Sequence, residues 1–326
     1  MLPLLSTSQA HAFAASGHFA VADTAAELIK GSRAEQEVLR ILKATSLHDI
    51  AVWSDCVKGI DALNEFKYTV TGRFPECAVF ERKPDEEERM RDYVQRNQDA
   101  CSPKAGEESC HKQYHYTNQA VQRGRYTLGS LGTSDHDIVA SLGAAIGRLQ
   151  GGKVPAPYSL TNEREALALL VHLVGDIHQP MHVASVYLGA EGQLIDPDQP
   201  GADPLSHTVG SNAISITGGN LHGYWDGVPN RFVPADLAAL SAAARTVPPT
   251  TGSLEQWPIT WANDSIAQGV KAFEGIQYGP RLPGLRGPRW IGLLPEGYDA
   301  RSLEQTRQQV AKAGARLAQL LKAIWP

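Results

Sequence analysis

The chain of 326 residues has no apolar run approaching the roughly 20 residues that a membrane-spanning helix needs. The expectation is therefore a soluble protein that does not enter a membrane. Positive charge is also scarce. The formal net charge of -5 gives no bulk attraction to polyanions, so any contact with nucleic acid has to be local rather than an effect of a basic surface. Low-complexity linkers, charge blocks and internal repeats are absent. A single domain is the simplest organisation, and a hydrophobic content of 42% suffices for a full core. Cysteine is limited to Cys56, Cys77, Cys101 and Cys110, none with Cys-x2-Cys spacing, which makes them poor zinc ligands. In an exported protein they form two disulfides, and the sequence leaves all three pairings open.

Between Glu165 and His182 lies a stretch whose few polar residues stand out. Ala166, Leu169, Leu170, Leu173, Val174 and Ile177 recur at helical spacing and predict a buried helix. Thr161 is placed to cap it, Glu163 and Glu165 suit its positive end, and Pro180 predicts its end near Gln179. His172 and Asp176 are four apart and share a face, so they can present two ligands to one metal ion. His182 falls just past the break, free to turn toward a second ion. Alone, His-x3-Asp is a weak signal. Leu221 to Asp226 repeats it with His222 and Asp226, behind Gly218-Gly219 and an Asn220 placed to cap a short helix. Two such pairs and His182 point to a polynuclear zinc site, because imidazole and carboxylate suit zinc.

The first dozen residues read as the tail of a secretion signal. Leu2, Leu4 and Leu5 form an apolar stub, and Ala10-His11-Ala12 fits the small-x-small cleavage pattern, leaving Phe13 as the new N-terminus. Helical patterns run over 20–30, 34–43, 85–98, 137–149, 235–244, 264–273 and 302–324. The last is opened by a Ser302-x-x-Gln305 capping box and buried through Val310, Leu317, Leu320 and Ile324. Thr69 to Pro84 is irregular or a small hairpin. Ser185 to Gly219, rich in Gly, Asp, Pro and Ser, is too long a loop to be idle and joins the two metal motifs. The fold class is all-α, mainly helical with long loops.

With these pieces assembled, the sequence resembles the zinc-dependent single-strand nuclease and 3′-nucleotidase family, the S-one/P-one type, from Phe13 to the C-terminus. The resemblance rests on Gly17-His18, Trp53-x-Asp55, His115, the run from His172 through Asp176-Ile-His-Gln-Pro-Met to His182, and Asn220-Leu-His222-x2-Trp-Asp226. It implies a helical fold like that of phospholipase C and P-one nuclease, with three zinc ions in a cleft. Residues 13–326 would form one domain after removal of residues 1–12. The first ion would take Asp55, His115, His172 and Asp176, and the second His182, His222 and Asp226. The third would take His18, Asp176 bridging from the first ion, and the amine and carbonyl of Phe13. Relatives commonly carry Trp at that place, an exchange that backbone ligation would tolerate. With Ala12 still attached, the Phe13 nitrogen is an amide and not a competent ligand, so cleavage and chemistry are linked.

The resemblance further implies a secreted or periplasmic monomer without an obligate protein partner. It would cut single-stranded DNA and RNA to 5′-phosphorylated products and act on 3′-nucleotides. Asp55 would also orient the attacking water, and Lys58 would neutralise charge on the transition-state phosphate. Tyr116 would stack the base 5′ of the cut, and Asn118 would bond the base edge where relatives often carry Asp. His178 belongs to the motif without being a family ligand and reads as supporting or structural. His11, His48, His111, His136 and His207 have no partner pattern. The competing implication is a zinc-dependent phospholipase C acting on phospholipid headgroups, the sibling class with a similar His-x3-Asp-x3-Gln-Pro-Met-His run. Its closing motif has Glu where this chain has Asp226.

Overall fold

The computed structural model describes residues 13–104, 106–285 and 287–326. The Ala10-His11-Ala12 pattern lies outside the described residues. In chain order the helices are α1 (Ala15–Ile29), α2 (Arg33–Leu42), α3 (Leu47–Ile50), α4 (Trp53–Cys56), α5 (Pro84–Asn97) and α6 (Cys110–Gln113). They continue with α7 (Ile138–Leu149), α8 (Glu163–Asp176), α9 (Leu221–Gly227), α10 (Pro234–Arg245), α11 (Trp257–Phe273) and α12 (Tyr298–Ile324). Helix makes up 53% of the chain and the strands are few and short, so the all-α expectation holds.

The fold is built around α8, in which every residue from Glu165 to Asp176 is buried. It packs against α7, α4, α12 and α1, so no face is left for water. A helix enclosed in this way has to be apolar all round, which is why its two polar ligand candidates stood out in the sequence. Asn162, not Thr161, caps it: the Asn162 Oδ1 accepts from the Glu165 N–H at 2.9 Å. Glu165 reaches back to accept from the Thr161 N–H at 2.9 Å, which satisfies a second orphan donor at the helix start. The helix stops at Asp176, one turn before the position predicted from Pro180, and a 3-10 turn over Pro180–His182 follows.

The last helix, α12, forms the rear wall and packs on α1, α10 and α8. Val310, Leu317 and Leu320 are buried and Ile324 is partly so. Ser302 and Gln305 do not form the predicted capping box, because α12 begins four residues earlier behind Gly297. Gln305 instead donates to the Gln268 carbonyl on α11 at 2.8 Å.

Short strands tie the loops to this helical frame. β1 (Gln119–Ala120) pairs in parallel with β2 (Ala184–Ser185), Gln119 opposite Ala184. A four-stranded sheet has the order β4-β3-β6-β5, from β3 (Ile214–Ile216), β4 (Gly219–Asn220), β5 (Gln277–Tyr278) and β6 (Trp290–Leu293). The segment over 69–84 is irregular, with a 3-10 turn at Pro75–Val79. The disulfides are Cys56–Cys77 and Cys101–Cys110. The first pins the residue after Asp55, and the second pins the start of α6, which leads to His115.

The approach of α12 to α1 depends on Gly314. A Cβ added there would lie 2.6 Å from the Thr24 Cβ and Cγ2 of α1. Alanine at an ordinary helix position gains about 1 kcal/mol over glycine, but overpacking costs about 1–3 kcal/mol, and at this distance the clash decides the sign. Gly314→Ala is therefore expected to lower the melting temperature in thermal unfolding; an unchanged or raised value would show that the two helices separate freely.

Candidate metal centre

Three buried groups of histidine and aspartate could each hold a metal ion: His18, His172 and Asp176; Asp55, His115 and His172; and His182, His222 and Asp226. Among the described residues these groups contain all eight side chains predicted from the sequence and no others. The structure places them from six separate elements: His18 on α1, Asp55 on α4, His115 just after α6, His172 and Asp176 on α8, His182 at the end of the 3-10 turn, and His222 and Asp226 on α9.

Asp176 stands between the first two groups. Its Oδ2 lies 2.9 Å from His115 Nδ1 and 3.2 Å from His172 Nε2, and its Oδ1 lies 3.2 Å from His18 Nε2. His172 Nε2 is also 3.5 Å from Asp55 Oδ1. The His18 ring lies flat on the His172 ring with centroids 3.9 Å apart, so His172 belongs to both groups. In the third group His182 Nε2 and His222 Nε2 approach the two oxygens of Asp226 at 3.7 and 3.5 Å. The parallel β1–β2 pairing brings this group to the others. It sets the Thr117 N–H on the His182 carbonyl at 2.8 Å, and His182 Nδ1 donates to the His115 carbonyl at 2.9 Å.

Backbone carbonyls fix the tautomers. Nδ1 of His172, His182 and His222 donates to the carbonyls of Ala51, His115 and Gly210 at 2.7, 2.9 and 2.6 Å. Each ring thereby turns Nε2 toward its group, where it becomes a free ligand atom once its proton is lost, the arrangement that metal-binding histidines require. Gln179, which the sequence reading passed over although it lies inside the motif, donates to Asp226 Oδ1 at 2.7 Å. The Gly210 carbonyl belongs to a turn in which Val209, Gly210 and Ser211 have φ of 54, 55 and 73°. A β-branched residue in the left-handed region is strained, so the long loop between the motifs is forced into shape where it meets His222.

Protein atoms alone leave these groups poorly satisfied. Both ring nitrogens of His18, Nε2 of His172 and of His182, Oδ1 of Asp176 and Oδ2 of Asp226 are buried without a hydrogen-bond partner among the described residues. Such atoms are costly unless something else engages them, and this donor set of imidazole and carboxylate fits zinc. Burial lowers the basicity of His172, but Asp176 and Asp55 outweigh it and push the ring up to about 10. Burial also opposes the charge on Asp176, yet the His172 and His182 charges hold its carboxyl well below the usual range. His115 goes the other way, to about 3, through burial and the neighbouring Lys58. A metal ion held here would compete with the His172 proton, so its binding would weaken in acid.

The model of the S1/P1 nuclease family matches residues 13–326. The chain belongs to the S1/P1 nuclease family. No curated protein matches it. No helix among the described residues is long and apolar enough to cross a membrane, and this and the two disulfides are compatible with an extracellular protein.

The remaining sequence-predicted residues fall around these groups. Lys58 Nζ donates to Asp55 Oδ1 at 2.7 Å; burial works against its charge, but Asp55 and Asp176 raise its basicity overall. Tyr116 is half-buried, its hydroxyl donating to Glu108 Oε2 at 3.2 Å. Asn118 is buried with its backbone fixed on both sides, by the Gly132 carbonyl at 2.8 Å and the Tyr187 hydroxyl at 2.9 Å. Phe13 is fully buried, and the following Ala14 N–H donates to the Asp226 carbonyl at 2.8 Å. The Phe13 side chain packs tightly against Gly17. His48, His111, His136 and His207 lie outside the three groups.

Gly175 admits His18 to the face of α8. A Cβ there would lie 2.7 Å from His18 Nδ1, and His18, only 1% exposed, has nowhere to move. Gly175→Ala is expected to fold but to bind less zinc per chain by elemental analysis, through loss of the group containing His18. Unchanged zinc content would mean that His18 takes no part in binding.

Proposed function

We propose that the protein is a secreted zinc-dependent phosphodiesterase that cuts single-stranded DNA and RNA to 5′-phosphorylated products and acts on 3′-nucleotides. The observation that carries this reading is the convergence of three buried histidine and aspartate groups in a chain of the S1/P1 nuclease family. Residues 13–326 are read as one catalytic domain, with the preceding residues removed on export.

When bound, zinc supplies a water of lowered pKa and stabilises charge on the phosphate. The proposed ligands are the eight side chains of the three groups, with the Phe13 amine and carbonyl completing the site of His18. The chain's own residues do the positioning. Asp55 orients the attacking water and takes a hydrogen bond from Lys58, which stays cationic and faces the developing phosphate charge. At 10% exposure, Lys58 supplies local positive charge in a chain whose net charge is -5. Tyr116 offers a stacking face for the base 5′ of the cut, tolerant of sequence because every base has a π-face. The Asn118 amide both donates and accepts at the base edge, which broadens base choice relative to a carboxylate.

The test is a panel of single-stranded DNA, RNA, 3′-nucleotides and lecithin offered to zinc-loaded, chelated and zinc-restored protein. Hydrolysis of the nucleic acids is expected to vanish on chelation and return with zinc, with lecithin untouched. Tyr116→Ala should weaken oligonucleotide binding by roughly 1–3 kcal/mol per stacked base at unchanged zinc content. Full turnover in protein shown by elemental analysis to be free of zinc would sink the proposal, and lecithin as the preferred substrate would assign it to the phospholipases.

The same reading makes the N-terminus a reagent. Protein beginning at Phe13 should hold one more zinc ion and turn over faster than protein beginning at Met1, in which the Phe13 nitrogen is an amide. Equal zinc content and equal turnover in the two forms would remove the N-terminus from the site.

A further inference from the structure

His178 is fully buried and belongs to none of the three metal groups. It lies on the turn that separates Asp176 from His182, and this turn is held from behind. Ser265 Oγ of α11 donates to the Ile177 carbonyl, and Gln309 Nε2 of α12 donates to the His178 carbonyl, the latter at 3.1 Å. The His178 ring is fixed at both nitrogens. Nδ1 donates to the Val174 carbonyl at 2.7 Å, which leaves Nε2 as an acceptor, and Arg316 Nη1 donates to it at 3.0 Å. The other end of the guanidinium pairs with Asp264, and its carbon lies 5.9 Å from the centre of the Trp261 ring.

Stability alone is a poor reason for this arrangement. Arg316 is 8% exposed and its Nε is buried without a hydrogen-bond partner among the described residues. Its counter-charge, Asp264, is 40% exposed and is shared with Lys312 at 3.8 Å. An apolar side chain of similar volume in such a place is often as stable or more so. What the guanidinium supplies is direction, because the ring of residue 178 cannot turn without leaving two buried donors unpaired.

We propose that Arg316, acting through His178, is a positioning residue that fixes the separation of Asp176 from His182 and hence the register of the metal groups on either side of the turn. The proposal rests on the reading of these groups as zinc sites and is independent of the substrate. Partners that touch the ligands themselves change metal affinity by about 10–100-fold; Arg316 and His178 stand one contact further back, so the lower end of that range is the ceiling here.

The test uses Arg316→Met, His178→Ala and the double variant. It reads zinc affinity by competition with a chelator, the visible spectrum of the cobalt-loaded protein, and thermal unfolding of the metal-free protein. Arg316→Met is expected to keep its metal-free melting temperature while zinc affinity falls by up to about 10-fold and the cobalt bands shift. The double variant should be no worse than the more affected single one, because both act along one path. Where Arg316→Met does not fold, Arg316→Lys replaces it; it keeps the charge but cannot serve both His178 and Asp264, and the same loss of affinity is expected. Wild-type affinity and cobalt spectrum in the folded Arg316 variant, or additive losses in the double variant, would overturn the positioning role. A wild-type protein that binds no zinc would overturn the zinc reading as well, so the two failures are told apart.

Discussion

A carboxylate with no access to water, Asp176, closes an apolar helix, and that single buried charge governs what can surround it. An ionised carboxylate removed from water carries a penalty of several kcal/mol unless it is paired and hydrogen-bonded. Three imidazoles surround it: His172 carries the opposite charge, His115 lies within hydrogen-bond distance of Oδ2, and His18 stands 3.2 Å from Oδ1. Each arrives by a different route. His172 comes one turn earlier on α8 itself, His18 on α1 across the gap left by Gly175, and His115 on the segment that the Cys101–Cys110 bridge and α6 introduce. The charge is thus a constraint on the fold as well as a feature of the site.

Three of the five imidazoles, those of His172, His182 and His222, are aimed by backbone rather than by other side chains. Ala51, His115 and Gly210 contribute carbonyls that hold three rings by Nδ1, and all three carbonyls lie outside regular helix and strand. A carbonyl in a fixed loop cannot titrate or change rotamer, so the ligand geometry does not depend on pH in the way that a carboxylate partner would make it depend. The strained Val209–Ser211 turn fits this account, since its left-handed residues are what carry the Gly210 carbonyl to His222.

Behind the site, α12 serves two parts of it at once. Gly314 allows α1, and with it His18, to approach, while Gln309 and Arg316 hold the turn between Asp176 and His182. Membership of the S1/P1 nuclease family gives this scaffold its chemistry, hydrolysis of a phosphodiester in nucleic acid. A net charge of -5 gives the chain no bulk attraction to such a substrate, and Lys58, 10% exposed, is a local positive charge beside Asp55.

The sequence by itself determined two of the pairs that converge, while His18, Asp55 and His115 were legible only through the family resemblance. Spacing of four on a helix is a local property, so His172 with Asp176 and His222 with Asp226 were legible without any tertiary information, as were the burial of α8 and the helical class. Local competition between neighbours was harder to read: Asn162 and not Thr161 takes the cap, and α12 begins ahead of Ser302, because the choice depends on which donor the rest of the fold leaves unpaired. Cysteine pairing was open in the sequence because loop geometry decides it, and the fold joins Cys56 to Cys77 and Cys101 to Cys110. Only the tertiary structure decided what stands behind the ligands. The Ala51 and Gly210 carbonyls and the Arg316 guanidinium lie 121, 12 and 138 residues from the histidines they hold. Backbone carbonyls carry no residue identity, and a lone buried arginine has no periodicity, so nothing in the one-dimensional pattern distinguishes them until the chain folds back on itself.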